Sequence, residues 1–77
     1  MTPWYCYDVE GGEDGGSIYY AMTPQAAAEA YADEVWAGIG PGMLVQVHVR
    51  HADGALWTID VEDRGDAFVA VDAQVMT

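Results

Sequence analysis

Lysine is absent from this 77-residue chain, and arginine occurs only twice, at Arg50 and Arg64. Phosphate contacts need clustered Arg and Lys, so direct binding of nucleic acid is excluded. Adhesion to an anionic membrane is disfavoured for the same reason. Cysteine occurs once, at Cys6, so no internal disulfide is available and a reducing, cytoplasmic setting is expected. No apolar run approaches the roughly 20 residues of a membrane span, and no basic leader pattern opens the chain. Ser17 is the only serine; it lies beside a glycine loop and outside any G-x-S-x-G, so the usual nucleophile turn is missing.

What the chain does have is acid and apolar surface. Thirteen Asp and Glu give a net charge of −11, and hydrophobic residues make up 52%, enough for a thin core. With no repeat or linker, residues 1–77 read as a single domain. A compact chain of this length has a radius of gyration near 11–12 Å and a body about 30 Å across. Duplex DNA of that length carries roughly 18 phosphates, so the net charge approaches that of the duplex the protein would replace. It also exceeds the magnitude of about 2–8 that solubility asks of a small domain, and the excess costs stability through self-repulsion.

Alternation and turn residues predict β-β-α-β-β-β, an α+β fold with an antiparallel sheet of about five strands and one helix packed across one face. Trp4 to Glu10 reads as a strand, with Tyr5, Tyr7 and Val9 on one side and Trp4, Cys6, Asp8 and Glu10 on the other. Gly11 to Gly16 is a hairpin loop, and Ser17 to Met22 returns with Ile18, Tyr20 and Met22 on one face. Thr23 is an N-cap and Pro24 the first helical residue; Gln25 to Ala37 continues the helix and Gly38 stops it. Ala27, Ala28, Tyr31 and Val35 form its apolar stripe, with Gln25, Glu29 and Asp33 opposite and Trp36 on the polar side. Met43 to His51 follows with Val45, Val47 and Val49 inward, then Ala55 to Glu62 with Trp57, Ile59 and Val61 inward. Ala67 to Met76 closes a meander with Val69, Val71, Ala73 and Val75 inward. The place where the first hairpin joins the meander does not follow from the pattern.

No catalytic set emerges. Cys6 has no basic neighbour or helix N-terminus to activate it. Asp60, Glu62 and Asp63 read as a solvated strand face rather than an acid–base pair. His48 and His51 stand three apart on a strand and point to opposite faces, so with Asp53 they make no tetrahedral set; no metal and no cofactor is expected. The glycines from Gly38 to Gly42 follow a helix and lack a lysine, so they form a turn and not a phosphate loop.

Acidic clusters stand out instead: Glu10, Glu13 and Asp14 on the first loop; Glu29, Asp33 and Glu34 on the helix; and Asp60, Glu62, Asp63 and Asp66 around the last turn. Their combined field would speed encounter with a basic groove and reject acidic partners. Nucleic-acid-binding grooves are the commonest large basic surfaces in a cell, so DNA mimicry follows as an expectation. If the helix covers the valine face, Trp4, Tyr19, Leu56 and Phe68 lie on the open face. With Trp36 they would act as interface anchors. Against this, Trp36 folding over the sheet edge and Trp4 covering Phe68 would place the same rings inside. Two open faces joining in a homodimer is another arrangement.

An N-terminal hairpin, a helix opened by Thr23-Pro24, and a meander through Leu56-Trp57 resemble in layout, size and charge the small phage-encoded anti-CRISPR proteins that inhibit type I surveillance complexes. The resemblance runs from Trp4 to Val61. It implies a non-enzymatic inhibitor in the cytoplasm of a bacterial host, docked on a basic nucleic-acid-binding surface of a CRISPR effector. Such docking would keep out target DNA or the nuclease. The partner-binding residues expected on this reading are Glu10, Glu13, Asp14, Tyr19, Glu29, Asp33, Trp36, Asp60, Glu62, Asp63 and Asp66. Tyr7-Asp8-Val9-Glu10 through Gly15-Gly16, with Ala26-Ala27-Ala28-Glu29-Ala30, is also similar to the N-terminal half of HicB-type antitoxins. The Pro-Gly loop and DNA-binding element of that family are missing, so this resemblance implies binding of a small basic toxin without autoregulation. A self-associating phage structural protein is the remaining alternative.

Overall fold

A computed structural model describes residues 1–76. Its elements are β1 (Thr2–Tyr7), a 3-10 turn (Glu13–Gly15), β2 (Ser17–Ala21), α1 (Pro24–Val35), β3 (Leu44–Arg50), β4 (Leu56–Asp63) and β5 (Phe68–Val75). All neighbouring strands are antiparallel in one sheet of order β2-β1-β3-β4-β5. The first hairpin therefore joins the meander through β1, which pairs Tyr5 with Arg50 and Tyr7 with His48. Since β1 is antiparallel to both neighbours, β2 and β3 run the same way, and α1 carries the chain between them across the sheet face. No helix among the described residues is long and apolar enough to cross a membrane.

The helix starts where the sequence says it should. Thr23 is extended, its Oγ1 accepts the Ala26 amide at 3.1 Å, and Pro24 occupies the first turn, where no amide is needed. After Trp36 the chain leaves through Gly38 at φ +88°, a conformation that costs glycine little. The stripe that α1 buries is Ala27, Ala28, Tyr31 and Ala32, and the small alanines let the backbone lie close to the sheet. Val35 is half exposed, contrary to the wheel, because the stripe follows the i+4 row from Ala28 through Ala32 to Trp36. Trp36 packs on the core and is not on the polar side; burying its larger ring outweighs burying a valine.

The core joins those helix residues to Trp4, Cys6, Val45, Val47, Val49, Ile59 and Val61. The alternation of β3 and β4 is as read, but the first hairpin is turned over: Trp4, Cys6 and Tyr19 face the helix, while Tyr5, Tyr7, Ile18 and Tyr20 face out. The Trp4 indole can be buried because its Nε1 donates to the Ala21 carbonyl at 3.1 Å. Phe68 also packs on the helix side, so of the side chains expected outside only Leu56 remains near the open face, opposite Arg50. The cause on β5 is a bulge. Asp60 pairs with Asp72 but Val61 pairs with Ala70, leaving Val71 unpaired and reversing the alternation. Phe68 and Ala70 point inward before the bulge and Ala73 after it, whereas Val71 and Val75 are exposed.

Candidate interaction surface

Chain direction decides where the acids gather. β1 and β4 end, and β2, β3 and β5 begin, at the same end of the sheet, and α1 points its C-terminus there too. The β1–β2 loop, the last turn of α1 and the β4–β5 turn consequently crowd one end. They carry Glu10, then Asp33 and Glu34, then Glu62, Asp63 and Asp66, while Glu13 folds back over Tyr5 to Arg50 at the far end of β3. Members of three clusters separate in sequence thus meet at one acidic end, to which the helix C-terminus adds its own partial negative charge. Asp33, Asp63 and Asp66 line a single hollow of about 130 Å³ beside Gly38 and Phe68. At the opposite end the β3–β4 hairpin carries Asp53, 2.9 Å from His51 Nδ1.

Few of these charges are compensated. Arg50 pairs with Glu13 at 2.9 Å while lying 5.1 Å above the Tyr5 ring, and Arg64 pairs with Glu62 at 2.9 Å. Both arginines are thereby engaged, leaving Glu10, Asp14, Asp33, Asp60, Asp66 and Asp72 without a cationic partner among the described residues. Asp72 stands directly opposite Asp60 on the open face, a like-charge pair that costs stability.

Other expected contact residues have duties inside the molecule. Glu29 Oε2 accepts the Ala70 amide at 2.8 Å and ties α1 to β5. Asp63 is buried, with its oxygens taking the Gly65 amide at 2.7 Å and the Gly40 amide at 3.3 Å. Tyr19 packs edge-on to Tyr31 and donates to Glu34 Oε1 at 2.9 Å. Trp36 donates through Nε1 to Asp8 Oδ2 at 2.8 Å.

That last bond belongs to a network centred on Asp8. Only 4% exposed, Asp8 also takes the Tyr31 hydroxyl on Oδ2 at 2.5 Å and the Gly11 amide on Oδ1 at 2.9 Å. Burial acts to raise its pKa, but the Tyr31 hydroxyl, the Gly11 amide and the Trp36 indole outweigh it and hold the carboxyl below its ordinary value. Burial and the bond to Asp8 push the Tyr31 hydroxyl up. With both oxygens taken by donors, Asp8 is a fixed anion that organises structure. Its signal was present in the sequence: it shares strand parity with Trp4 and Cys6, and Tyr31 sits in the apolar stripe needing an acceptor. Burial pushes the Cys6 thiol up to about 12, so it remains protonated at neutral pH. Among the described residues no group of three His, Cys, Asp or Glu is arranged to hold a metal ion. Comparisons with family models, curated proteins and solved structures find no match to the chain.

Proposed function

We propose that the protein is a binding module that presents its acidic end to a basic, nucleic-acid-binding protein surface and keeps nucleic acid off it. The observation that carries this reading is the meeting of Glu10, Asp33, Glu34, Glu62, Asp63 and Asp66 at one end of the sheet with both arginines already paired. A body 34 Å long matches a stretch of duplex bearing roughly 20 phosphates, so the protein can cover a comparable length of a positively charged channel. The resemblance in layout to anti-CRISPR proteins makes a type I surveillance complex the specific partner in this proposal, and inhibition of target binding or nuclease recruitment the outcome. Attraction across a charged groove raises the encounter rate and is screened by salt.

The test is competition. Purified type I surveillance complex is titrated with the protein while binding of a labelled target duplex is followed at 50 mM and 300 mM NaCl. The reading predicts loss of duplex binding at the lower salt and recovery at the higher. Duplex binding that is unaffected at either salt, with no association seen between protein and complex, overturns the CRISPR assignment.

A further inference from the structure

The acidic end also holds a gap in the sheet. β1 leaves β3 after the Tyr7–His48 pair, although β3 runs on to Leu44. The departure is caused by the Asp8 network: the Gly12 amide closes on the Asp8 carbonyl at 2.8 Å, the Gly11 amide on its Oδ1, and Trp36 and Tyr31 draw its Oδ2 toward the helix. Val9 and Glu10 therefore turn away where the ladder would have continued.

Antiparallel pairing alternates, so successive residues aim their amide and carbonyl to opposite sides. On β3 the odd positions face β4, since the Met43 carbonyl takes the Asp63 amide at 2.9 Å and the His51 amide reaches the Ala55 carbonyl at 2.8 Å. The amides and carbonyls of Leu44 and Gln46 consequently face the side that β1 has vacated. Beside them lies a cleft of about 280 Å³ between Val9 and Glu10 on one wall and Met43 to Gln46 on the other, with Trp36 and Ile39 beneath. Val9, Met43 and Leu44 are 74%, 54% and 59% exposed, so three exposed apolar side chains line one opening.

We propose that this cleft receives an extended segment of the basic partner as an added strand on β3, with alternating basic and apolar side chains. The proposal rests on the docking reading above and assigns the place where the partner is held. An added strand would complete the Leu44 and Gln46 backbone bonds. Its residue opposite Val45 would point inward over Trp36 and Ile39, which asks for an apolar side chain. Its neighbours on either side would point to the open face, where Glu10 stands at the lip and Asp60 lies across the sheet opposite Gln46, which asks for Arg or Lys. Charge selects this occupant over a second copy, which would bring −11 against −11.

The test uses capped seven-residue peptides with the intact protein. One alternates Arg and Val, a second has the same composition in two blocks, and a third alternates Glu and Val. The alternating Arg–Val peptide should bind at least tenfold more tightly than the block peptide and slow hydrogen exchange at the Leu44 and Gln46 amides, and the Glu–Val peptide should not bind. Gln46→Pro, which deletes one of the two donors, should remove the preference for alternation. Should that variant fail to fold, the exposed Val9→Arg tests the same point by placing a cation at the lip. Equal binding of the two Arg peptides with unchanged exchange at Leu44 and Gln46 overturns the strand cleft while leaving charge-driven docking to its own competition assay. Concentration-dependent protection of those amides without peptide assigns the cleft to a second copy and likewise overturns it.

Discussion

At the scale of single residues, Asp8 is the position on which most depends. One carboxylate, placed at the end of β1 on its inward side, accepts from a tyrosine, a tryptophan and a loop amide, and so bends the chain away from β3. Asp8→Asn puts an amide N–H against donors, and the loss of hydrogen bonds to a charged group is expected to cost about 1.5–3 kcal/mol at pH 7. Because the folded carboxyl titrates below its unfolded value of about 3.9, its contribution is complete above that pH. It is lost as the pH falls through the lower folded value. Urea unfolding of wild type and Asp8→Asn should therefore differ clearly at pH 7 and converge at strongly acid pH; a difference that stays constant would show that the charge is not what matters. Cys6 offers a simpler check. Its buried thiol, raised to about 12, should resist iodoacetamide in the native protein and react at once in denaturant. Fast native alkylation at pH 8 would contradict the packing of β1 against α1.

At the scale of elements, what was legible in the sequence is what local chemistry dictates. Thr23 and Pro24 mark the helix start, and valines at alternate positions mark β3 and the inward side of β4. What was not legible depends on neighbours distant in sequence. Which face of the first hairpin meets α1 is settled by Trp4 finding a carbonyl for its indole and by Tyr31 finding Asp8, and the strand alternation carries no information about either. The β5 bulge is hidden by the run Val69, Val71, Ala73 and Val75, which alternates well; only Phe68 and Ala70, on the other parity, hint at it. The acidic residues are plain in the sequence, but which of them meet at one end follows from sheet order, which strand alternation leaves open. The first hairpin loop also has a tight requirement. A Cβ on Gly16 would lie 2.5 Å from the Cys6 carbonyl oxygen and 2.7 Å from the Tyr5 ring. Gly16→Ala is expected to destabilise by about 1–3 kcal/mol through overpacking, measured by thermal melts, and an unchanged melting temperature would mean that the loop does not lie on Tyr5.

At the scale of the whole molecule, charge is distributed unevenly. Acid concentrates at the end formed by the first loop, the helix C-terminus and the last turn, and neither arginine is left to offset it. This arrangement stores repulsion in the folded state. Raising NaCl from 10 mM to 150 mM shortens the screening length from about 30 Å to about 8 Å and should raise the melting temperature; a flat or falling response would contradict uncompensated repulsion. On the proposed function, this end, rather than the acidity of the protein in general, does the docking. The most direct test is the association rate with the type I surveillance complex at low salt for two variants. One neutralises the end (Glu10→Gln, Asp33→Asn, Asp66→Asn) and the other the body (Asp53→Asn, Asp72→Asn). Association more than tenfold slower is expected for the end variant and less than threefold slower for the body variant. Equal slowing of the two, or normal association of the end variant, would contradict docking by this end.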